Sequence, residues 1–235
     1  MKPRALAFDL DGTLWSCDGV IKRAEWALYA WLQRHYPRIT ASYDREAMRV
    51  VRRDLARRRP ELAADVTALR QASLEWHARQ AGYDPALAEA GMAVFLAERQ
   101  RVTPYADARP ALERLAADLP LVALTNGNAD VWQTELGDLF HHFLTAGDVG
   151  AAKPDPALFR AACRDLGIQP WDMVHIGDDP VRDIHAAHHF GARTVWINRD
   201  GAPWPEDIGR AHREITSLAE LSAVLGLEAP AGERS

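Results

Sequence analysis

The chain has 235 residues, a net charge of −5 and 48% hydrophobic composition, enough to bury one full core or a core plus a smaller unit. An acidic balance leaves no electrostatic footprint for nucleic acid, and no run approaches the ~18–20 apolar residues of a membrane helix. Two cysteines far apart, Cys17 and Cys163, with no leader signature ahead of the first apolar run, argue against a disulfide framework and fit a reducing cytoplasm.

In chain order, Ala5–Phe8 is an unbroken apolar run with no helical period, the pattern of a strand covered on both faces of a parallel sheet. It runs directly into Asp9, Asp11, Gly12 and Thr13, and residues 12–20 read as a turn-rich exit. From about residue 19 to 100 the period becomes helical. Ala24, Leu28, Trp31 and Leu32 form one apolar stripe, Met48, Val51 and Leu55 a second, Leu62, Val66, Leu69 and Leu74 a third, and Leu87 to Leu96 a fourth. Pro37, Pro60 and Gly82–Pro85 separate them, and four such helices can bury their faces against one another.

After Pro104 strands and helices alternate. The expected elements are a helix at 107–118, a strand at 121–124 ending in Thr125-Asn126-Gly127-Asn128, a helix at 130–139 and a strand at 143–146. A helix at 156–166 capped by Asp155 follows, then a strand at 173–176 ending in Gly177-Asp178-Asp179, and a helix at 181–190. A strand at 194–197 and a helix at 217–225 close the series, and 229–235 reads as a frayed tail. This alternation predicts an α/β fold: a Rossmann-like, doubly wound parallel sheet as core, residues 1–14 and 104–235, with an all-helical cap domain inserted at 15–103.

The insert carries fifteen basic and eleven acidic side chains, its excess concentrated in Arg45 to Arg59. That run suits either an anionic partner or a solvated helix face; the interleaved Asp44, Glu46, Asp54 and Glu61 favour the face.

Strand ends on one side of a parallel sheet converge on one crevice. Here that gathers Asp9 and Asp11, Thr125 and Asn126, Lys153, and Asp178 and Asp183. Each close carboxylate pair costs about 4 kcal/mol at an effective dielectric near 20. A hard divalent cation, Mg2+, removes that penalty through oxygen ligands, and no cysteine or histidine set competes for a softer metal.

The set D-L-D-G-T at 9–13, the strand ending in Thr125, Lys153-Pro154, and G-D-x-x-x-x-D at 177–183 resembles the four ordered motifs of the haloacid dehalogenase superfamily. The resemblance covers 1–14 and about 104–225, and implies that 15–103 is the family's cap. It further implies a Mg2+-dependent hydrolase with Asp9 as the nucleophile that becomes an aspartyl-phosphate, and Asp11 as general acid, then base. Thr125, the Asn126 main-chain N–H and Lys153 would hold the phosphoryl oxygens. Asp9, the Asp11 carbonyl, Asp178 and Asp183 would hold the metal, while Asp179 is either a supporting ligand or a helix-start acid. Members that displace halide from carbon lack a carboxylate at the position of Asp11, so its presence implies phosphate esters.

A closer resemblance, to the bacterial phosphatases of flavin mononucleotide and of 5-amino-6-(5-phospho-D-ribitylamino)uracil, rests on 120–129, 136–140, 146–154, 175–179 and 194–199. Gly12 departs from it, a second acid standing there in that subfamily. The implied partner is therefore a small phosphorylated metabolite of riboflavin metabolism, with no nucleic acid and no membrane; a sugar phosphate or phosphoglycolate is the alternative substrate. A non-catalytic binding protein on the same fold would be expected to have lost Asp9, Asp11, Lys153 or Asp178, and none is lost. Oligomeric state is open between monomer and weak dimer. Trp15 and Trp204 suit either packing or stacking on a heterocycle, Cys17 reads as a bystander, and His185, His188 and His189 as a surface helix face.

Overall fold

In the computed structural model, which describes residues 2–227, Ala5–Phe8 is β1, an inner strand of a six-stranded parallel sheet. The others are β2 (Leu121–Thr125), β3 (His142–Thr145), β4 (Met173–Gly177), β5 (Arg193–Ile197) and β6 (Arg213–Ile215). Their order is β3-β2-β1-β4-β5-β6, every pairing parallel. The order reverses between β1 and β4, so a crevice opens at their carboxyl ends. The tail at 229–235 lies outside the described residues.

The two-residue period of strands divides the core into two layers. Leu6 and Phe8 of β1, Leu121 and Ala123 of β2, and Val174 and Ile176 of β4 face one side, packing with Leu112 and Leu115. Ala5, Ala7, Val122, Leu124 and Met173 face the other, with Phe159 and Ala187.

The helices between β1 and β2 bury a third cluster of their own. They are α1 (Cys17–His35), α2 (Pro37–Ser42), α3 (Arg45–Arg58), α4 (Val66–Gln80) and α5 (Leu87–Arg99), followed by α6 (Ala108–Ala116) against the sheet. Five helices stand where four were expected. Pro37, read as a separator, opens α2, because proline suits a first helical turn, and Leu62 lies in a short 3-10 turn ahead of α4. Asp44 and Asp65 cap α3 and α4 through main-chain N–H groups. In the arginine run, Arg49 and Arg52 pair with the buried Glu25, so part of that excess is structural. The two chain segments joining this block to the sheet run side by side, Trp15 bridged to Pro104 and the Tyr105 N–H donating to the Leu14 carbonyl.

Downstream, α7 (Ala146–Val149), α8 (Ala157–Leu166), α9 (Ala186–Phe190) and α10 (Leu221–Val224) complete the fold. The helix expected at 130–139 is two 3-10 turns, 131–133 and 137–139. Asp130 caps the first, Thr134 Oγ1 donates back to the Val131 carbonyl at 2.7 Å, and extended Thr134 stops propagation. β6 was not expected; three residues with one buried side chain carry no readable period. The closing helix is shortened to a 3-10 turn at 218–220 and α10.

Candidate active site

Asp9 leaves β1 at the crevice, and Lys153 reaches it from the loop beyond β3. Lys153 is buried and spends all three Nζ protons: on Asp9 Oδ1 at 2.8 Å, Asp183 Oδ1 at 2.6 Å and the Leu124 carbonyl at 2.8 Å. Burial alone would lower its pKa, but Asp183 and Asp9 outweigh burial and hold it above the ordinary lysine value. The Asn126 amide sets the loop, accepting from the Lys153 N–H at 2.7 Å and donating to its carbonyl at 2.8 Å. Thr125 Oγ1 accepts from the Gly127 N–H at 2.9 Å, which leaves its own proton for another acceptor.

Asp183 sits on a wide π-type turn, 180–185, that precedes α9 and folds its carboxylate back beneath β4. Burial opposes its charge, yet Lys153 and His175 hold its pKa below the usual carboxylate range. His175, fully buried on β4, is kept neutral chiefly by burial and donates Nε2–H to Asp183 Oδ1 at 3.1 Å. Asp9 goes the other way: burial, and behind it Asp183 and Asp178, push it well above the ordinary value despite Lys153. Asp178, held by the Thr13 hydroxyl at 3.2 Å, is pushed up to about 6 by burial and by Asp183.

Oxygens of Asp9, Asp178 and Asp183 lie within 4.8 Å of one another, and no other such group of potential ligands occurs among the described residues. Three carboxylates against one lysine leave surplus negative charge on hard oxygen donors, which fits Mg2+. The backbone makes room for them: Gly12 has φ +94°, and a Cβ there would lie 2.3 Å from Asp178 Oδ2. Glycine at position 12 thus admits both the left-handed backbone and the close approach of Asp178. Asp179 acts as a helix-start acid, accepting from the Val181 and Arg182 N–H groups at 2.8 Å.

The Asp11 carboxylate lines the same cavity but stands outside this cluster. Oδ1 accepts from Trp15 Nε1 at 2.8 Å and Oδ2 from Arg99 at 2.5 Å. Arg99, the last residue of α5, is fully buried and also donates Nε–H to Asn128 at 3.2 Å. Neither this arginine nor His175 was anticipated. Each occupies a core-facing position where a polar residue is unusual, and that was the available signal. A Cβ on Gly127 would lie 2.7 Å from Asp11 Oδ2 and 3.3 Å from Arg99, so glycine there admits the pair. Trp204 packs edge-on against Trp196, and burial pushes the Cys17 thiol up to about 12, which removes it as a nucleophile at neutral pH. Asp9, Asp11, Cys17, Thr125, Asn126, Lys153, Asp178 and Asp183 line a cavity of about 650 Å³, and Ala63, Ala64 and Val66 of the helical block belong to the same lining.

Because the folded pKa of Asp178 stands above 3.8, the native state holds its proton while the unfolded chain releases it. Its contribution to metal-free stability therefore falls as pH rises from about 4 to 6. Asp178→Asn should match wild type near pH 4 in EDTA, exceed its Tm above pH 6, and lose most of the stabilisation by Mg2+. Melting curves with a Tm difference independent of pH would contradict this.

A family model described as haloacid dehalogenase-like hydrolase matches residues 3–191. The chain is 32% identical over 229 residues to the 5-amino-6-(5-phospho-D-ribitylamino)uracil phosphatase YigB of Escherichia coli strain K12, covering 94% of this chain and 95% of that one. It is 38% identical over 130 residues to a phosphoserine phosphatase of Thermus thermophilus, about half of each chain. Among solved structures, one titled 2-haloacid dehalogenase from Pseudomonas syringae pv. Tomato DC3000 superposes with a TM-score of 0.91 at 36% identity, covering 96% of this chain and 99% of that one.

Proposed function

The chain belongs to the haloacid dehalogenase-like hydrolases, and on that premise we propose that it is a Mg2+-dependent phosphomonoesterase of small metabolites that works through an aspartyl-phosphate. The observation that carries the reading is Asp11, a second carboxylate two residues beyond Asp9 and held in place from two sides. An alkoxide is a poor leaving group and needs a proton, which such a group delivers; halide needs none.

Asp9 Oδ1 is taken by Lys153, so Oδ2 is the attacking oxygen. Its bond to phosphorus forms as the bond to the leaving oxygen breaks, and Asp11 gives that oxygen its proton. Asp11 then takes a proton from water, whose oxygen bonds to phosphorus as the Asp9 Oδ2–P bond breaks. Thr125 Oγ1–H and the Asn126 main-chain N–H donate to the phosphoryl oxygens, and Lys153 supplies fixed positive charge beside them. Carboxylates of Asp9, Asp178 and Asp183 with the Asp11 carbonyl would hold Mg2+, which supplies charge against the phosphoryl group when bound. Residues 15–103 act as a cap over the core formed by 1–14 and 104–235.

For the substrate we favour 5-amino-6-(5-phospho-D-ribitylamino)uracil or flavin mononucleotide, supported by the whole-length relative that acts on the former. The similarity to a structure titled dehalogenase makes hydrolysis of a 2-haloacid the competing reading. Phosphate release from both favoured esters with Mg2+, and no chloride release from 2-chloropropionate, is the expected result. The reverse pattern would replace the proposal.

A further inference from the structure

Arg99 ends a stripe of α5 whose other buried members include Ala88, Met92 and Phe95, and it is itself fully buried. An apolar side chain would fill that position at less cost, because guanidinium Nη1 is buried with no hydrogen-bond partner among the described residues. What the other two nitrogens hold accounts for the charge. Nη2 donates to Asp11 Oδ2 at 2.5 Å, and Nε to Asn128 Oδ1 at 3.2 Å. Asn128 is anchored in turn, its amide donating to Thr67 Oγ1 at 3.2 Å and its main-chain carbonyl accepting from the Gln100 amide at 3.3 Å. The second donor to Asp11, Trp15 Nε1 at 2.8 Å, is fully buried too. It stands where the chain enters the helical block, and Arg99 where the chain leaves it. Each carboxylate oxygen has two lone pairs. One donor on each oxygen fixes the carboxylate plane and leaves further lone pairs on a side chain that lines the cavity.

We infer that Arg99 is a positioning residue for proton transfer: backed by Asn128, it sets the plane of Asp11 so that the carboxyl group meets the leaving oxygen in the first step and the attacking water in the second. The inference rests on the phosphomonoesterase reading and adds to it a residue of the helical block, outside the four motifs. Arg99 is not among the residues that line the cavity, so its effect on an ester passes through Asp11. Removing it strands no fully buried charge, because the Asp11 side chain is 18% exposed and open to the cavity.

The test follows the first turnover of phenyl phosphate and of para-nitrophenyl phosphate with enzyme in excess and Mg2+ present. Phenolate leaves poorly without a proton, whereas nitrophenolate needs none. In Arg99→Met the first turnover of phenyl phosphate should fall by about 100-fold and that of the nitrophenyl ester by less than about threefold, with Tm close to wild type. With the nitrophenyl ester in excess, this variant should release about one equivalent of nitrophenolate per site in a burst, because hydrolysis of the phosphoenzyme still calls on Asp11. Arg99→Lys keeps the charge without the fork that joins Asp11 to Asn128, and should show the same split at about tenfold, which keeps the inference testable if Arg99→Met does not fold. Equal falls for the two esters in a folded variant, or no fall for either, overturn the inference and leave the phosphatase reading standing. No phosphate from either ester with the wild-type protein overturns both.

Discussion

Asp9→Asn is expected to lower kcat by about 10,000-fold or more while raising the melting temperature of the metal-free protein. The rate falls because the amide oxygen is a poor nucleophile and the two-step route is closed, which in covalent hydrolases removes most of the acceleration at once. The stability rises because burial and the neighbouring Asp183 and Asp178 disfavour charge on Asp9. A carboxylate whose folded pKa stands above its unfolded value loses stability as pH rises through that interval, and asparagine keeps the uncharged shape at every pH. The gain should be absent near pH 4 and present at pH 7, measured by thermal melts in EDTA, with para-nitrophenyl phosphate turnover for the rate. Retained turnover in a preparation free of deamidated protein would refute the covalent route; a lower Tm at pH 7 would refute the electrostatic account.

The opposed signs bear on what the sequence could show. Asp9 and Asp11 were legible because a strand covered on both faces writes itself as an unbroken apolar run, and acids directly after such a run have few structural uses. Thr125, Lys153, Asp178 and Asp183 were legible because parallel strands deliver their ends to one edge, so order along the chain implies nearness in space. What escaped is what depends on packing between distant segments. Arg99 lies 88 positions from Asp11, and the only trace of it is an arginine on the face of α5 that also buries Met92 and Phe95. His175 is likewise marked only as a polar residue in a strand that is otherwise apolar. The segment 130–139 carries a helical apolar pattern that Asp130 and Thr134 override with side-chain hydrogen bonds, a local competition that periodicity does not register.

Lys153→Met should be damaging in both respects. It leaves Asp9 and Asp183 buried without the ammonium that joins them, and breaking a buried pair from one side costs about 3–5 kcal/mol. In a chain of this size that is a fall in Tm of about 10 °C. Turnover should drop by about 1,000-fold, since the fixed charge beside the phosphoryl oxygens goes with it. Lys153→Arg should recover little of either, because a planar guanidinium cannot place three protons where one Nζ now bonds Asp9, Asp183 and the Leu124 carbonyl. Saturating Mg2+ should restore part of the Tm and none of the rate: it can offset the carboxylates without reaching the position of Nζ. The double variant Asp9→Asn/Lys153→Met separates charge from packing. If the loss arises from stranded carboxylates, removing one of them recovers stability, so the double variant melts above Lys153→Met alone, and the coupling has the sign of a broken ion pair. A double variant that melts below Lys153→Met would mean that the lysine serves the fold through its methylene stem, and the charge-balance account of this site would fail.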